Sequence, residues 1–181
     1  MPDGADYINA WGLGNYVVFD RNAWIQEFSA PLVAYPDIET LPMELSAVFQ
    51  VGAGSAGIEA FDRINLDIGD NESIGLIVLG SVPNSDGSML FGFDIAGGRV
   101  ILLGLDHGTL ELVNSSLAKF VEFLYRFALF IDNDRGISTR PNRARELRSE
   151  LTSCDPDAFV SIDSWWGVVL SSLSVSGSEP D

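Results

Sequence analysis

The sequence predicts an α+β fold: a single domain with a central, largely antiparallel sheet flanked by helices. Three observations carry that expectation. Helical patterns lie near both ends of the chain, short apolar runs separated by turn residues fill its middle, and 181 residues with 46% hydrophobic content supply one core of ordinary size. The domain is expected to span residues 1–181, with flexible ends over about 1–14, where Gly4, Gly12 and Gly14 fall, and 174–181, rich in Ser, Gly and Pro.

Taken in order, Asp20 can cap a short helix over residues 21–28 that stops before Pro31, and Pro42 opens a second over residues 43–49, because proline suits a first helical turn. Strands follow. Ile64, Leu66 and Ile68 alternate with Asn65 and Asp67, and the runs IGLIVLG, MLFGFDI, RVILLG and TLELV are rich in Ile, Val, Leu and Phe. Between them lie SVPNSDGS, AGG and LDHG, in which Asp86-Gly87 and Gly97-Gly98 tolerate the positive φ that tight hairpins need. After Asn114-Ser115-Ser116, any of which can cap a helix, Leu117, Phe120, Val121, Leu124 and Ala128 recur at helical spacing, widened by Phe123, Phe127 and Phe130. Such a helix buries its aromatic stripe against a sheet. Ala144, Leu147 and Leu151 mark one face of an Arg/Glu-rich helix ending before Asp155-Pro156. A last helix, capped by Asp163 or Ser164, aligns Trp166, Val169, Leu170 and Leu173.

Charge narrows the function classes. Ten Lys and Arg against 26 Asp and Glu give −16, a field that repels phosphate and so disfavours nucleic acid or an anionic membrane as partner. Residues 1–120 hold four of the basic and sixteen of the acidic groups, so the negative field belongs mainly to the first two thirds. A cationic partner is expected. With 20% charged residues and a mean hydropathy of +0.19, the chain is too apolar to be an acidic disordered tail. The first twenty residues carry no basic residue, unlike a secretory leader, and the apolar stretch 120–131 is broken by Glu122 and Arg126. A cytoplasmic location is the expectation. One cysteine, Cys154, excludes an intramolecular disulfide and a Cys-rich zinc site.

Candidate chemistry is sparse. Gly52, Gly54 and Gly57 satisfy a GxGxxG spacing, but a dinucleotide fingerprint sits between a strand and a long helix, whereas here a helix is expected before it and a strand after. The bland reading is a helix-to-strand loop. His107, the only histidine, lies in a turn with no legible nucleophile, and Ser115 and Ser116 are better explained as caps. The acidic surroundings of Cys154 disfavour a thiolate. Asp67, Asp70 and Glu72 form the densest carboxylate group, without EF-hand spacing. Five arginines, Arg135, Arg140, Arg143, Arg145 and Arg148, read as a solvated loop and helix face. No cofactor, no metal and no enzymatic activity are expected.

Three segments carry a family resemblance. IGLIVLGSVPNSDGSMLFGFDIAGGRVILL, LELVNSSLAKFVEFLYRF and LRSELTSCDPDAFVSIDSWWGVVLSSL resemble, in order, the strand and Gly-Arg-Val hairpin, the Val-Asn-Ser-Ser-Leu helix entry and the Asp-Pro, Trp-Trp closing helix of the SUKH superfamily of immunity proteins, fourth subfamily. Residues 41–45, Leu-Pro-Met-Glu-Leu, look like that family's first helix opening. The resemblance implies a single α+β domain that binds and neutralises a bacterial toxin of a polymorphic secretion system, often a nuclease or nucleic-acid deaminase. The negative field suits such a toxin, whose cleft is basic because it holds nucleic acid. Asp62, Asp67, Asp70, Glu72 and Asp86 are the residues expected to face the toxin's Lys and Arg, while Asn114, Trp165 and Trp166 are assigned to folding. A non-catalytic scaffold or signalling adaptor is the other class, and Trp11 and Trp24, read as exposed aromatics, leave a homodimer open.

Overall fold

The middle of the chain builds the sheet. In the computed structural model, which describes residues 2–12, 16–29, 35, 40–42, 44–45, 49–50, 57–69 and 72–174, five strands succeed one another: β5 (Arg63–Gly69), β6 (Glu72–Ser81), β7 (Met89–Asp94), β8 (Val100–Gly104) and β9 (Thr109–Asn114). All pair antiparallel in the order β5-β6-β7-β8-β9. Their turns use the chemistry the sequence advertises. Asp86 and Gly87 take φ of 50° and 76° between β6 and β7, and Gly98 takes 69° between β7 and β8. At the latter turn Asp94, almost fully buried, accepts from the Ala96 and Gly97 amides through Oδ1 and from the Arg99 guanidinium through Oδ2.

Period-two alternation divides the apolar residues between two faces. Ile77, Leu79, Phe91, Phe93, Val100, Leu102 and Val113 point toward the helices, whereas Leu76, Val78, Leu90, Ile101 and Leu103 form a second cluster on the other face. Four short strands add to this frame: β1 (Tyr16–Val18) pairs with β2 (Thr40–Pro42), and β3 (Glu44–Leu45) with β4 (Phe49–Gln50). Through Gln50 opposite Ser81, β4 joins β6 at the end away from the β5–β6 turn.

Among the described residues, five α-helices complete the fold: α1 (Gly4–Trp11), α2 (Arg21–Phe28), α3 (Leu117–Asp132), α4 (Arg140–Cys154) and α5 (Trp165–Ser174). The Asp20 carboxylate accepts from the Ala23 amide at the start of α2, as expected. Ser116 caps α3 by accepting from the Lys119 amide, and the stripe from Leu117 to Phe130 is buried as its spacing predicts. Ala144, Leu147 and Leu151 are the buried residues of α4, and Trp166, Val169 and Leu170 of α5.

Three expectations are corrected. The helix expected over residues 43–49 is not formed: Glu44–Leu45 and Phe49–Gln50 are paired strands, and Met43 and residues 46–48 lie outside the described residues. Pro42 ends a short strand opposite Tyr16, and proline suits strand ends as readily as helix starts. Second, most of the start expected to be flexible is α1, capped by Asp3 accepting from the Asp6 amide, with Tyr7 buried in the main core. Third, Trp24 is buried among Phe19, Phe28 and Phe61, with centroids 4.5, 5.6 and 5.0 Å away, and Trp11 is partly buried beside Tyr7. Neither supplies the exposed aromatic surface that left a homodimer open.

Candidate functional site

Of the acidic residues singled out from the sequence, Asp62, Asp67, Glu72 and Asp86 are exposed, yet they divide into separate groups. Asp67 and Glu72 flank the β5–β6 turn, where Asp67 Oδ1 accepts from the Gly69 amide at 3.0 Å and Glu72 sits opposite Gly69. Asp70 lies outside the described residues. Asp86 stands in the β6–β7 turn, at the far end of β6. Ten residues of strand separate the two turns, roughly 30 Å at about 3.3 Å per residue. Asp62 lies between them, its Oδ2 accepting from the Glu59 amide and its carbonyl from the Val78 amide. The four described carboxylates therefore form no single compact cluster: Asp67 and Glu72 stand beside one turn, Asp62 and Asp86 toward the other end of β6.

A buried polar knot ties the sheet to the C-terminal helices. Asp155, fully buried at the end of α4, accepts through Oδ2 from Asn114 Nδ2 at 3.1 Å and the Ser115 amide at 2.9 Å, and through Oδ1 from the Ser115 hydroxyl at 2.9 Å and Lys119 Nζ at 3.2 Å. The other side of Asn114 accepts from Trp166 Nε1 at 3.0 Å. Asn114 and Trp166 are folding residues, as expected. Trp165 is likewise structural: its amide donates to Glu111 Oε1, and its ring packs edge-on against Phe91 at 5.3 Å.

Between α3 and α4 lies a groove of about 560 Å³, lined by Ala118, Lys119, Glu122, Arg126, Glu150 and Cys154 among others. Its charges are matched internally: Lys119 with Asp155, and Arg126 with both Glu122 at 2.7 Å and Glu150 at 3.0 Å. Burial, followed by the nearby Glu122 carboxylate, pushes the Cys154 thiol up, away from the reactive thiolate. His107 stands exposed in the β8–β9 turn, and the Ser116 hydroxyl is engaged as a cap. Of the GxGxxG glycines, Gly52 and Gly54 lie outside the described residues; Gly57 is followed by β5 instead of a helix.

Arg135 and Arg145 are exposed, as a solvated face requires, whereas Arg140, Arg143 and Arg148 depart from it. Arg143 donates to the Phe130 and Asn133 carbonyls at the end of α3 and lies 4.8 Å from the Phe130 ring centroid. Arg140 holds Asp134, whose carboxyl it keeps below the usual range, and Arg148 lies over Phe159 at 5.7 Å. Arg143 braces the end of α3 against α4, where the last helical carbonyls lack intrahelical donors. Arg143→Ala should lower stability by about 1 to 3 kcal/mol, read by urea unfolding, since two charge-assisted bonds are lost; an unchanged midpoint would return Arg143 to the solvated class.

No helix among the described residues is long and apolar enough to cross a membrane. A family model described as SUKH-4 immunity protein matches residues 33–172, from the stretch before β2 into α5. No curated protein and no solved structure matched the chain.

Proposed function

The chain belongs to the SUKH-4 immunity protein family, and from that premise we propose that it protects its cell by binding a cognate toxin one-to-one and occluding the toxin's substrate cleft, with no reaction catalysed. An immunity protein implies a toxin as partner. The toxin is of the nucleic-acid-attacking kind, a nuclease or a deaminase, and the encounter takes place in the cytoplasm. The observation that supports this finer reading is the net charge of −16. A cleft that holds nucleic acid is lined by Lys and Arg, and an acidic protein is drawn to it faster than a neutral one.

In this proposal Asp67 and Glu72, which flank the β5–β6 turn, and Asp70, between them in sequence, act as steering charges, with Asp62 and Asp86 extending the field along β6. At physiological salt the Debye length is about 8 Å, so the two ends of β6 act on different parts of the approaching toxin. Reversing Asp67, Asp70 and Glu72 to Lys together should slow association about 10-fold or more at low salt, with the difference shrinking as salt rises. An unchanged low-salt association rate would remove the turn tip from the interface.

The decisive experiment is affinity capture on the immobilised chain from lysate of the source cell, washed at low and high salt, followed by expression of each retained protein alone and with the chain. Recovery of one basic domain that is toxic alone and harmless beside the chain is the expected result. Recovery of several weakly held proteins, none toxic, would overturn immunity in favour of a scaffold.

A further inference from the structure

We propose that the surface over residues 160–168, with Val160, Ile162 and Val168 at its centre and Asp157 and Asp163 at its rim, is where the toxin docks. The inference rests on the immunity reading and adds to it the surface and the chemistry of its counterpart: an apolar patch ringed by Lys and Arg. Val160 exposes 82% of its surface, Ile162 72% and Val168 53%. Single exposed apolar side chains are ordinary on any protein. Here three fall within nine residues, on one tight turn entering one helix.

That turn is firmly built. On one side the chain emerges from Asp155, held by Asn114 and Ser115, and on the other it enters α5 at Trp165, whose amide donates to Glu111. Both anchors are residues of β9 or its immediate continuation, so the segment is fixed at each end to the same sheet edge. In between, the Ser164 amide donates to the Ser161 carbonyl, the Asp163 amide to the Ser161 hydroxyl and the Val168 amide to the Ser164 carbonyl. The Ile162 carbonyl also lies so close to Gly167 that a Cβ there would stand 2.5 Å from it. Backbone thus lies directly on helix at Ile162, whose side chain, like that of Val160, is turned to solvent.

Such an arrangement lowers the cost of binding, because apolar groups on a fixed backbone lose little freedom when they are covered. Interface affinity concentrates in a few central apolar anchors, with polar groups at the rim excluding water. Asp157 and Asp163 are exposed carboxylates beside the patch, while Arg148, the basic neighbour on α4, is turned to the Phe159 ring and Ser171. The rim is therefore negative, and it complements a partner that is basic for reasons of its own. The steering carboxylates at the β5–β6 turn and this patch separate two tasks, rate of encounter and lifetime of the complex.

The test uses the toxin domain that the wild-type chain captures and neutralises. Ile162→Asp should weaken binding about 30-fold or more, and Val160→Asp with Ile162→Asp further, whereas Ile137→Asp, at an exposed apolar residue on the α3–α4 connection, should stay within about 3-fold. Thermal melts of all variants should match the wild type. In a second measurement that needs no variant, hydrogen exchange of the amides over residues 160–168 should slow when the toxin is bound. Tight binding by the double variant together with unslowed exchange would overturn this surface while leaving immunity intact. A wild-type chain that neutralises no toxin would overturn the immunity reading, and this surface with it.

Discussion

Trp166→Ala is expected to cost about 3 to 5 kcal/mol of stability, the range for removing a large buried aromatic side chain. The indole is fully buried, packs on Phe123 at 5.2 Å and Phe127 at 6.2 Å between ring centroids, and donates to Asn114 Oδ1. Two losses therefore combine. The cavity removes packing from the seam between α3 and α5, and the truncation strands the Asn114 oxygen in a place water does not readily reach. Trp166→Phe separates them, because it keeps most of the ring and deletes the donor; its cost should fall near 1 to 3 kcal/mol. Domains of this size have about 5 to 15 kcal/mol in total, so the alanine variant approaches the unfolding threshold. Urea unfolding of both variants decides the matter: a loss under about 1 kcal/mol for Trp166→Ala would place the indole outside the core, and equal losses for both would assign the whole effect to the hydrogen bond.

What could be read from the sequence follows the length of the pattern available. α3 repeats its apolar stripe over sixteen residues, and β5 to β9 each hold enough alternating or apolar residues for the period to show. By contrast β1 to β4 are two or three residues long, too short for any period, and Pro42 was left to decide between helix start and strand end alone. α1 has local signals in Asp3, which caps it, and Gly12, which ends it with φ of 80°, but an eight-residue helix that opens on Gly4 and stops at Gly12 reads more easily as a loose end. The knot at Asp155 joins positions about forty residues apart, and no spacing rule reaches that far.

The same limit applies to the surface. Net charge is legible without the fold, because it sums over the chain. It cannot place carboxylates at one site, and the structure sets Glu72 and Asp86 at opposite ends of β6. Val160 and Ile162 look in sequence like any alternating apolar pair and might as well have faced a core. Their exposure depends on where Asp155 and Trp165 are tied, which only the fold determines.

Asp155→Ala should therefore affect both folding and binding, at a cost of about 3 to 5 kcal/mol, the range for breaking a buried charged network by removing one member. The carboxylate is fully buried and accepts from four donors, so its removal leaves Asn114 Nδ2 and the Ser115 amide without their acceptor. Its cation is placed differently: Lys119 is 37% exposed and can return to water. Lys119→Met should accordingly cost less, about 1 to 2 kcal/mol, because the buried carboxylate loses its cation but keeps its other three donors. The inequality is the sharp part of the prediction, since a mainly Coulombic knot would make the two variants alike, whereas a knot held by hydrogen bonds to backbone and Asn114 makes them differ. A double-mutant cycle between residues 155 and 119, read by urea unfolding, measures the pair alone. Because Asp155 is also the first anchor of the segment carrying Val160 and Ile162, any Asp155→Ala protein that still folds should bind the toxin more weakly while Lys119→Met binds as the wild type does. Equal binding by both would detach the docking surface from the knot that positions it.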